Sequence, residues 1–227
     1  KNLLVCFLVI TSLFTYGQVT GYSQASYPIG YYDDATGTGY NLKTQLYGII
    51  ESHTVLSYTP GLWDLYKEGN AFKDNWYEND GTLLDIYSEN PDGADPYVYQ
   101  LGTSQCGNVG SEGTCYNREH LIPQSIFNKK SPMVSDAFHI WPTDGKVNGM
   151  RDNYPFGKVG KVTWTSLNGS RLGSSDASTG YTGTVFEPID EFKGDIARAY
   201  FYFATRYENT IDATWKDYPM FNKLDKN

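Results

Sequence analysis

The segment YNREHLIPQS, residues 116–125, carries the densest set of chemically reactive side chains in the chain. Two nearby segments extend it, DAFHIWPTD at residues 136–144 and VNGMRDN at residues 147–153. Two of the three histidines, His120 and His139, lie in this region beside carboxylates, carboxamides and arginines. Because histidine is the side chain best suited to proton transfer near neutral pH, the region is our candidate for a reactive site.

The side chains of this region match the needs of phosphodiester hydrolysis. That reaction requires a deprotonated water, neutralisation of the negative transition state and help for the departing oxygen, which histidine, a hard metal ion and arginine supply. Mg²⁺ binds oxygen ligands and commonly takes only one or two protein groups, a demand that Glu119 and Asn148 would meet. If residues 116–122 form a strand, Glu119 and His120 point to opposite faces, so a twist or bulge must bring both to the site.

The spaced motifs NREHLIPQS, DAFHIWPTD and VNGMRDNYPFG resemble those of the endonuclease I family of bacterial extracellular and periplasmic nucleases, within the His-Me finger (ββα-metal) group. The resemblance extends upstream to GYYDDATG and downstream to FEPIDEFKGDIARAYFYFATRY, so it covers most of residues 29–207. It implies a loop-rich α+β fold with a ββα-metal catalytic core. It also implies a Mg²⁺-dependent endonuclease that cuts DNA, with RNA as a further candidate substrate, without sequence preference and leaves 5′-phosphate ends. One Mg²⁺ ion is expected, with Mn²⁺ or Ca²⁺ as substitutes in the same site.

The resemblance assigns roles to individual residues. His120 matches the general base of the family, and Glu119 and Asn148 match its magnesium ligands. The residues themselves suggest that His139 is either structural or orients another group through a ring nitrogen. Asn153 is expected to hold the loop that follows Asn148.

Two arginines of the motifs have two open interpretations each. Arg118 and Arg151 could contact the scissile or a neighbouring phosphate as catalytic residues. Alternatively, they could brace the loop through Asp136 or Asp144. The sequence favours neither interpretation.

Two features depart from the family pattern. Only 28 positions separate His120 from Asn148, whereas some relatives carry a long disulfide-bearing insertion there, whose arginine has no clear match in this chain. The chain stops at Asn227 without the N-R-N-P-F-type segment of other members. We therefore predict a nuclease domain over residues 18–227, with truncation at its C-terminus as one interpretation.

Apolar periodicity and turn signals predict helices, a few strands and long loops without regular βαβ alternation, which indicates the α+β class. The predicted helices are a core helix at residues 39–53 with Thr38 as its cap, a short helix after Pro60, and a helix that starts near Asp190 or Gly194 and reaches Tyr207. The predicted strands cover residues 83–87 and 97–101, and SLNGSRLGSSDASTG at residues 166–180 is predicted to be a surface loop.

The first residues resemble a secretory signal peptide. Lys1 is followed by an apolar run at residues 3–14 and by a small or polar stretch, so we predict a signal peptide at residues 1–17 with cleavage after Gly17. A run of 12 apolar residues is too short to cross a bilayer, which takes roughly 20 residues. We expect a secreted or periplasmic protein.

Removal of the signal peptide changes the cysteine count. Cys6 lies inside it, so Cys106 and Cys115 remain, separated by the flexible run GNVGSEGT. In an oxidising compartment this pair favours a disulfide over a metal site or a reactive thiol.

The net charge of −8 and the pI near 4.8 argue against a protein that coats nucleic acid through bulk positive charge. Residues 118–171 nevertheless contain eight lysines and arginines against four acidic residues. This local excess suits transient contact with a nucleic acid, and a chance excess of solvated lysines is the alternative interpretation. We expect a monomer with a nucleic acid substrate, no stable protein partner and no membrane association.

Two other classes of protein remain as alternatives. Five tryptophans and 20 tyrosines are compatible with a secreted carbohydrate-binding module, although tyrosines more often fill a core. A glycosidase could use an acid pair such as Glu187 and Asp190. Neither alternative explains the clustered motifs at residues 116–153.

Overall fold

A computed structural model describes residues 28–68, 70–107, 109–210, 215 and 218–221 of the chain. The α+β prediction is confirmed, because helices and small antiparallel sheets occur together. In chain order the helices and strands of the described residues are α1 (Gly39–Ile50), α2 (Gly61–Glu68), β1 (Tyr116–His120), β2 (Ile140–Asp144), α3 (Gly145–Arg151), β3 (Val159–Thr165), β4 (Arg171–Ser175), β5 (Thr184–Glu187) and α4 (Asp190–Arg206). The predicted signal peptide lies outside the described residues. No helix of the described part is long and apolar enough to cross a membrane.

The first sheet positions the chemically reactive residues. Strands β1 and β2 pair antiparallel with an unshifted register, in which Glu119 faces Trp141 and His120 faces Ile140. Helix α3 begins immediately after β2. The strands and the helix together form one continuous β-β-α unit.

Asp144 makes the sharp change from β2 to α3 possible. Its Oδ1 accepts hydrogen bonds of 2.8 Å from the amides of Lys146 and Val147, which would otherwise lack partners in the first helical turn. Its Oδ2 accepts from the Tyr99 hydroxyl at 2.6 Å and from the Gly113 amide at 2.9 Å. The cap therefore ties the start of α3 to two loops.

Helix α4 forms one wall of the main core. It begins at Asp190, the first of the two predicted starts, and buries the apolar stripe that contains Phe203 and Ile196. The hydroxyl of Tyr200 on this helix donates a 2.7 Å hydrogen bond to the carbonyl of Leu121, directly after β1. The helix thus holds the end of the strand that carries His120.

Helix α1 differs from its prediction. It ends at Ile50 and contains no buried residue, so the prediction of a core helix was wrong. Thr38 occupies the cap position, but its hydroxyl makes no capping hydrogen bond. The helix packs against α4, and Lys43 forms a 2.9 Å ion pair with Glu208. The apolar stripe of α1 is therefore only partly covered in the described part of the chain.

The strands predicted at residues 83–87 and 97–101 are absent, and these segments form turns and extended loops. They meet where the Leu83 amide donates a 2.8 Å hydrogen bond to the Tyr99 carbonyl. Asp85 bends the first segment by accepting a 2.9 Å hydrogen bond from the Tyr87 amide. A local side-chain acceptor here replaces the pairing of a strand.

The predicted surface loop at residues 166–180 contains β4, the central strand of the second sheet, so that prediction was also wrong. Strand β4 pairs with β3 and β5, and Gly173 lies where a Cβ would come within 2.0 Å of the Lys161 carbonyl oxygen. Gly173, one of the residues that suggested a loop, is needed because the neighbouring strand approaches closely.

Candidate active site

A cleft of about 390 Å³ lies against the β-β-α unit. It brings together seven of the residues singled out in the sequence, Cys106 included, whereas His139 and Cys115 do not line it. The cleft is lined by Arg118, Glu119, His120, Asn148, Arg151 and Asn153, together with Tyr58, Cys106, Gly107, Asn117, Pro123, Gln124, Gly149 and Asp152.

Glu119 lies at the buried floor of the cleft and is 1% exposed. Its Oε1 accepts a 2.8 Å ion-pair hydrogen bond from Nη1 of Arg151 and a 3.1 Å hydrogen bond from the hydroxyl of Tyr87. Burial raises the pKa of the Glu119 carboxyl, and the positive charge of Arg151 acts in the opposite direction. The carboxylate is therefore held in one orientation by two donors.

Arg151 is buried as deeply as its partner, with 1% exposure. Its Nη1 also donates to the His120 carbonyl at 2.6 Å, and its Nη2 donates to the Leu121 carbonyl at 2.5 Å. Its Nε donates to the Tyr154 carbonyl at 3.1 Å. Every nitrogen of the guanidinium thus has a protein acceptor.

His120 occupies the last position of β1, where the chain leaves the strand. The β1–β2 register has no bulge, so the end of the strand, rather than a bulge within it, allows Glu119 and His120 to reach the same cleft. His120 is 7% exposed, and its Nε2 lies 3.3 Å from the carbonyl oxygen of Val134. Burial, and then the neighbouring His139 ring, lower the pKa of His120 to about 3.

His139 is fully buried behind His120, with 6.1 Å between the ring centroids. Its Nε2 lies 2.8 Å from the carbonyl oxygen of Met133, and its Nδ1 has no partner among the described residues. Burial lowers the pKa of His139 to about 4. The ring packs edge-on against Phe203, which places it in the core as well as beside the site.

Asn148 lies on α3 and points its amide toward β1. Its Nδ2 donates a 2.6 Å hydrogen bond to Oδ1 of Asn117, whose own Nδ2 donates to the Gly107 carbonyl at 3.0 Å. Gly107 follows Cys106, which is bonded to Cys115 as predicted. Two consecutive hydrogen bonds therefore connect the disulfide loop to the side chain of Asn148. They use its Nδ2 and leave its side-chain oxygen available as a ligand or acceptor.

Arg118 is bound to the segment that precedes α2. Its Nη1 donates to the carbonyl of Tyr58 and, at 2.9 Å, to the hydroxyl of Thr59. The guanidinium lies 3.5 Å from the ring centroid of Tyr58 and 4.4 Å from that of Trp63. It is half-buried at the edge of the cleft, unlike Arg151.

The acids suggested as bracing partners of the arginines have other donors among the described residues. Asp136 accepts from the hydroxyls of Tyr202 and Tyr207 at 2.9 and 2.6 Å. Asp144 caps α3 and binds Tyr99. No ion pair of the described chain joins either acid to an arginine, so bracing through these carboxylates is not observed.

The side-chain oxygens that the cleft offers as metal ligands fit a hard divalent cation. Glu119 offers a carboxylate and Asn148 a carboxamide oxygen, and both line the same cleft. Mg²⁺ prefers oxygen ligands and keeps several waters, so two protein ligands in an open cleft suit it.

Sequence reasoning missed three residues that order the site. Tyr87 binds Glu119, Asn117 binds Asn148, and Tyr58 holds Arg118. Asn117 lies within the first motif and could have been noticed as an amide one residue from Arg118. Tyr58 and Tyr87 are distant in sequence, and no local pattern distinguishes them from other tyrosines.

An antiparallel strand pair followed by a helix, with a histidine beside a carboxylate and a carboxamide, defines a ββα unit. Residues 38–227 match the family described as Endonuclease I, and the chain belongs to this family. The family resemblance of the motifs is therefore confirmed.

Individual relatives agree with this assignment. The extracellular ribonuclease of Bacillus subtilis (strain 168) is 33% identical over 181 residues, which cover 78% of this chain and 54% of that protein. An Endonuclease-1 of Buchnera aphidicola subsp. Acyrthosiphon pisum (strain APS) is 26% identical over 117 residues, which cover 52% of this chain and 44% of that protein. The chain spans about half the length of the curated relatives it matches. No solved structure matches it.

Proposed function

We propose that the chain is a secreted or periplasmic, metal-dependent nuclease that hydrolyses phosphodiester bonds without sequence preference. The observation that carries this proposal is the placement of His120, Glu119 and Asn148 around one cleft of the β-β-α unit. Membership of the Endonuclease I family and similarity to an extracellular ribonuclease support it. We further propose DNA as substrate, with RNA as a second candidate, 5′-phosphate products, and action as a monomer without a protein partner or membrane association.

In this proposal His120 is the general base. A carbonyl oxygen only accepts hydrogen bonds, so Nε2 of His120 carries the proton that it shares with Val134. The lone pair of the neutral ring is then on Nδ1, the nitrogen that would take a proton from water in this proposal. The lowered pKa of His120 keeps the ring in this neutral form across the physiological range.

Glu119 and Asn148 are the proposed ligands of one Mg²⁺ ion, with Mn²⁺ or Ca²⁺ as substitutes. The bound ion would neutralise phosphate charge and stabilise the departing oxygen. Arg151 and Tyr87 hold Glu119, while Asn117 holds Asn148, so each ligand has its own support. A preset pair of ligands lowers the entropy lost when the ion and substrate bind.

The contacts of the two arginines suggest different roles. Arg118 is half-buried at the edge of the cleft, unlike the fully buried Arg151, so we propose it as the arginine that contacts a phosphate. Arg151 is saturated by protein acceptors, and its contacts favour a positioning role through Glu119 over the predicted phosphate contact. His139 supports His120, and Asn153 lines the cleft next to the loop after α3.

The glycosidase alternative has no support in the cleft. Glu187 and Asp190 both bind Lys193, at 2.7 and 2.5 Å, and neither residue lines the cleft. A carbohydrate-binding function would not explain why His120, Glu119 and Asn148 line the same cleft.

A nicking assay on supercoiled plasmid tests the proposal, with matched single- and double-stranded DNA and RNA as further substrates. We expect EDTA to stop cleavage and His120→Ala to lose about 10²-fold or more in rate while its affinity for DNA is retained. His53→Ala is the matched control, because His53 is the third histidine and contacts Arg206 away from the cleft. A His120→Ala rate within about threefold of the parent rate would overturn the assignment of the base.

A further inference from the structure

Three carboxylates meet outside the cleft. Asp74 and Glu78 belong to one loop, and Glu89 follows the turn at residues 86–88. One oxygen from each of the three carboxylates lies within 4.8 Å of those of the other two. We refer to Asp74, Glu78 and Glu89 as the acidic triad.

Glu89 lacks the partner that its burial requires. The residue is 1% exposed, and its Oε1 has no hydrogen-bond donor in the described part of the chain. None of the ion pairs found across the described ranges includes a member of the acidic triad. A buried carboxylate oxygen without a donor strongly destabilises a fold unless a proton or a cation neutralises it. Burial and then the neighbouring carboxylates raise the pKa of Glu89 to about 8, and a cation bound among the three carboxylates would offset the charge of all of them.

Asp74 is fixed in place by its own loop. Its Oδ1 accepts hydrogen bonds from the amides of Trp76 and Tyr77, and its Oδ2 accepts from that of Asn79, each at 3.0 Å. The loop thereby brings Glu78 back toward Asp74. These amides hold the carboxylate in place but supply no full positive charge to offset its neighbours.

We propose that the acidic triad binds one Ca²⁺ ion, separate from the ion proposed at Glu119. Opposite ligands of Ca²⁺ lie about 4.6–5.2 Å apart, since each is about 2.3–2.6 Å from the ion. The three ligand oxygens of the triad, one from each residue, all lie within 4.8 Å of one another, which fits this spacing. Three protein carboxylates suit Ca²⁺, which accepts six to eight oxygens in irregular geometry, whereas Mg²⁺ usually takes only one or two carboxylates.

The site would fasten the segment that supports the cleft. Tyr87, two residues before Glu89, donates to Glu119, and Asp85 accepts a 2.9 Å hydrogen bond from the Asp144 amide. A cation that joins Glu89 to the loop of Asp74 therefore restrains the backbone behind β1 and α3. This role is structural and does not depend on the proposed nuclease activity.

The proposal is tested by thermal unfolding of the full chain in two buffers, one with EGTA and one with a Ca²⁺ concentration about 100-fold above the Kd of the site. The experiment uses an Asn148→Ala background, which removes a ligand of the other proposed metal site. We expect Ca²⁺ to raise the Tm by roughly 5–10 °C. In EGTA, Glu89→Gln should melt at or above the temperature of its background, because the variant lacks the unpaired buried charge, and Ca²⁺ should shift its Tm by no more than about 1 °C.

Glu191→Gln, at an exposed position in the first turn of α4, is the matched control and should keep the full Ca²⁺ shift. Glu78→Gln changes an exposed member of the triad, so it reports on the site even if Glu89→Gln does not fold. Calorimetric titration should find one Ca²⁺ per chain in the Asn148→Ala background. Glu78→Gln should also lose most of the Ca²⁺ shift. The absence of a Ca²⁺ shift in the Asn148→Ala background, or a Ca²⁺ shift in both triad variants as large as that of the background, would overturn the proposal, whereas loss of activity alone would not.

Discussion

The buried ion pair between Arg151 and Glu119 provides a sharp test of how the site is held together. Replacement of Arg151 by Met keeps much of its volume but removes the charge and all its donors. Glu119 would then retain only the Tyr87 hydroxyl as a donor to Oε1. The carbonyl oxygens of His120 and Leu121 would each lose a charged donor.

The size of the effect follows from burial. Both side chains of the pair are 1% exposed, so solvent cannot replace the lost partner. Removal of one member of a buried pair costs about 3–5 kcal/mol, because an uncompensated charge remains. A loss of about 4 kcal/mol would be a large fraction of the roughly 5–15 kcal/mol by which a domain of this kind is stable.

Urea unfolding followed by circular dichroism measures this loss. Arg198→Met is the matched control, because Arg198 pairs with Asp195 on the surface of α4 and its side chain is 73% exposed. We expect that control to lose less than about 0.5 kcal/mol. The double variant Arg151→Met/Glu119→Gln should recover part of the loss, since it removes the unpaired buried carboxylate.

Two results would refute this reasoning. A loss of less than about 1 kcal/mol for Arg151→Met would mean that the pair is not buried and rigid as described. If the loss in unfolding free energy of the double variant equalled the sum of the losses of the two single variants, Arg151 and Glu119 would not interact.

Two further predictions concern the disulfide and the second buried histidine. Replacement of Cys106 and Cys115 by Ala should lower the free energy of unfolding by about 2 to 3 kcal/mol, since the bond closes a short loop with a sequence separation of 9. The same replacement should raise the Mg²⁺ concentration needed for cleavage, because the hydrogen bonds that run from Gly107 through Asn117 to Asn148 begin beside this disulfide. An unchanged urea midpoint together with an unchanged Mg²⁺ titration would contradict both effects. His139 has a folded-state pKa of about 4, below the ordinary value of about 6.5, so the unfolded chain binds its proton first and stability falls as the pH drops from 6.5 toward 4. Between pH 7 and 5 the parent should lose about 2 kcal/mol more than His139→Gln in urea unfolding, and equal losses would show that His139 titrates normally.

Much of the helical structure could be predicted because its signals are local. The apolar stripe of α4 recurs at helical spacing, and the start at Asp190 was one of two predicted positions. The short helix after Pro60 and the disulfide between Cys106 and Cys115 are also confirmed. Each of these features depends on residues that lie close together in the chain.

The sheets were harder to predict because pairing partners are distant in sequence. Strand β4 is rich in serine and glycine, and only its position between β3 and β5 makes it a strand. The apolar run at residues 83–87 has the composition of a strand, yet Asp85 bends it before it can pair. β-structure reflects packing against neighbours more than intrinsic preference, so composition misled in both cases.

The chemistry proposed for the cleft could be suggested from the motifs, since their resemblance to the family implies His120 as a base and Glu119 and Asn148 as oxygen ligands. Their environment is a property of the folded chain. Burial lowers the pKa of His120, and Tyr87 reaches Glu119 across 32 positions of sequence. Such effects depend on which surfaces exclude water and which distant atoms become neighbours, and a local pattern contains neither kind of information. The motifs therefore specify the reactive groups, whereas tertiary packing sets their protonation, their orientation and the partners that hold them.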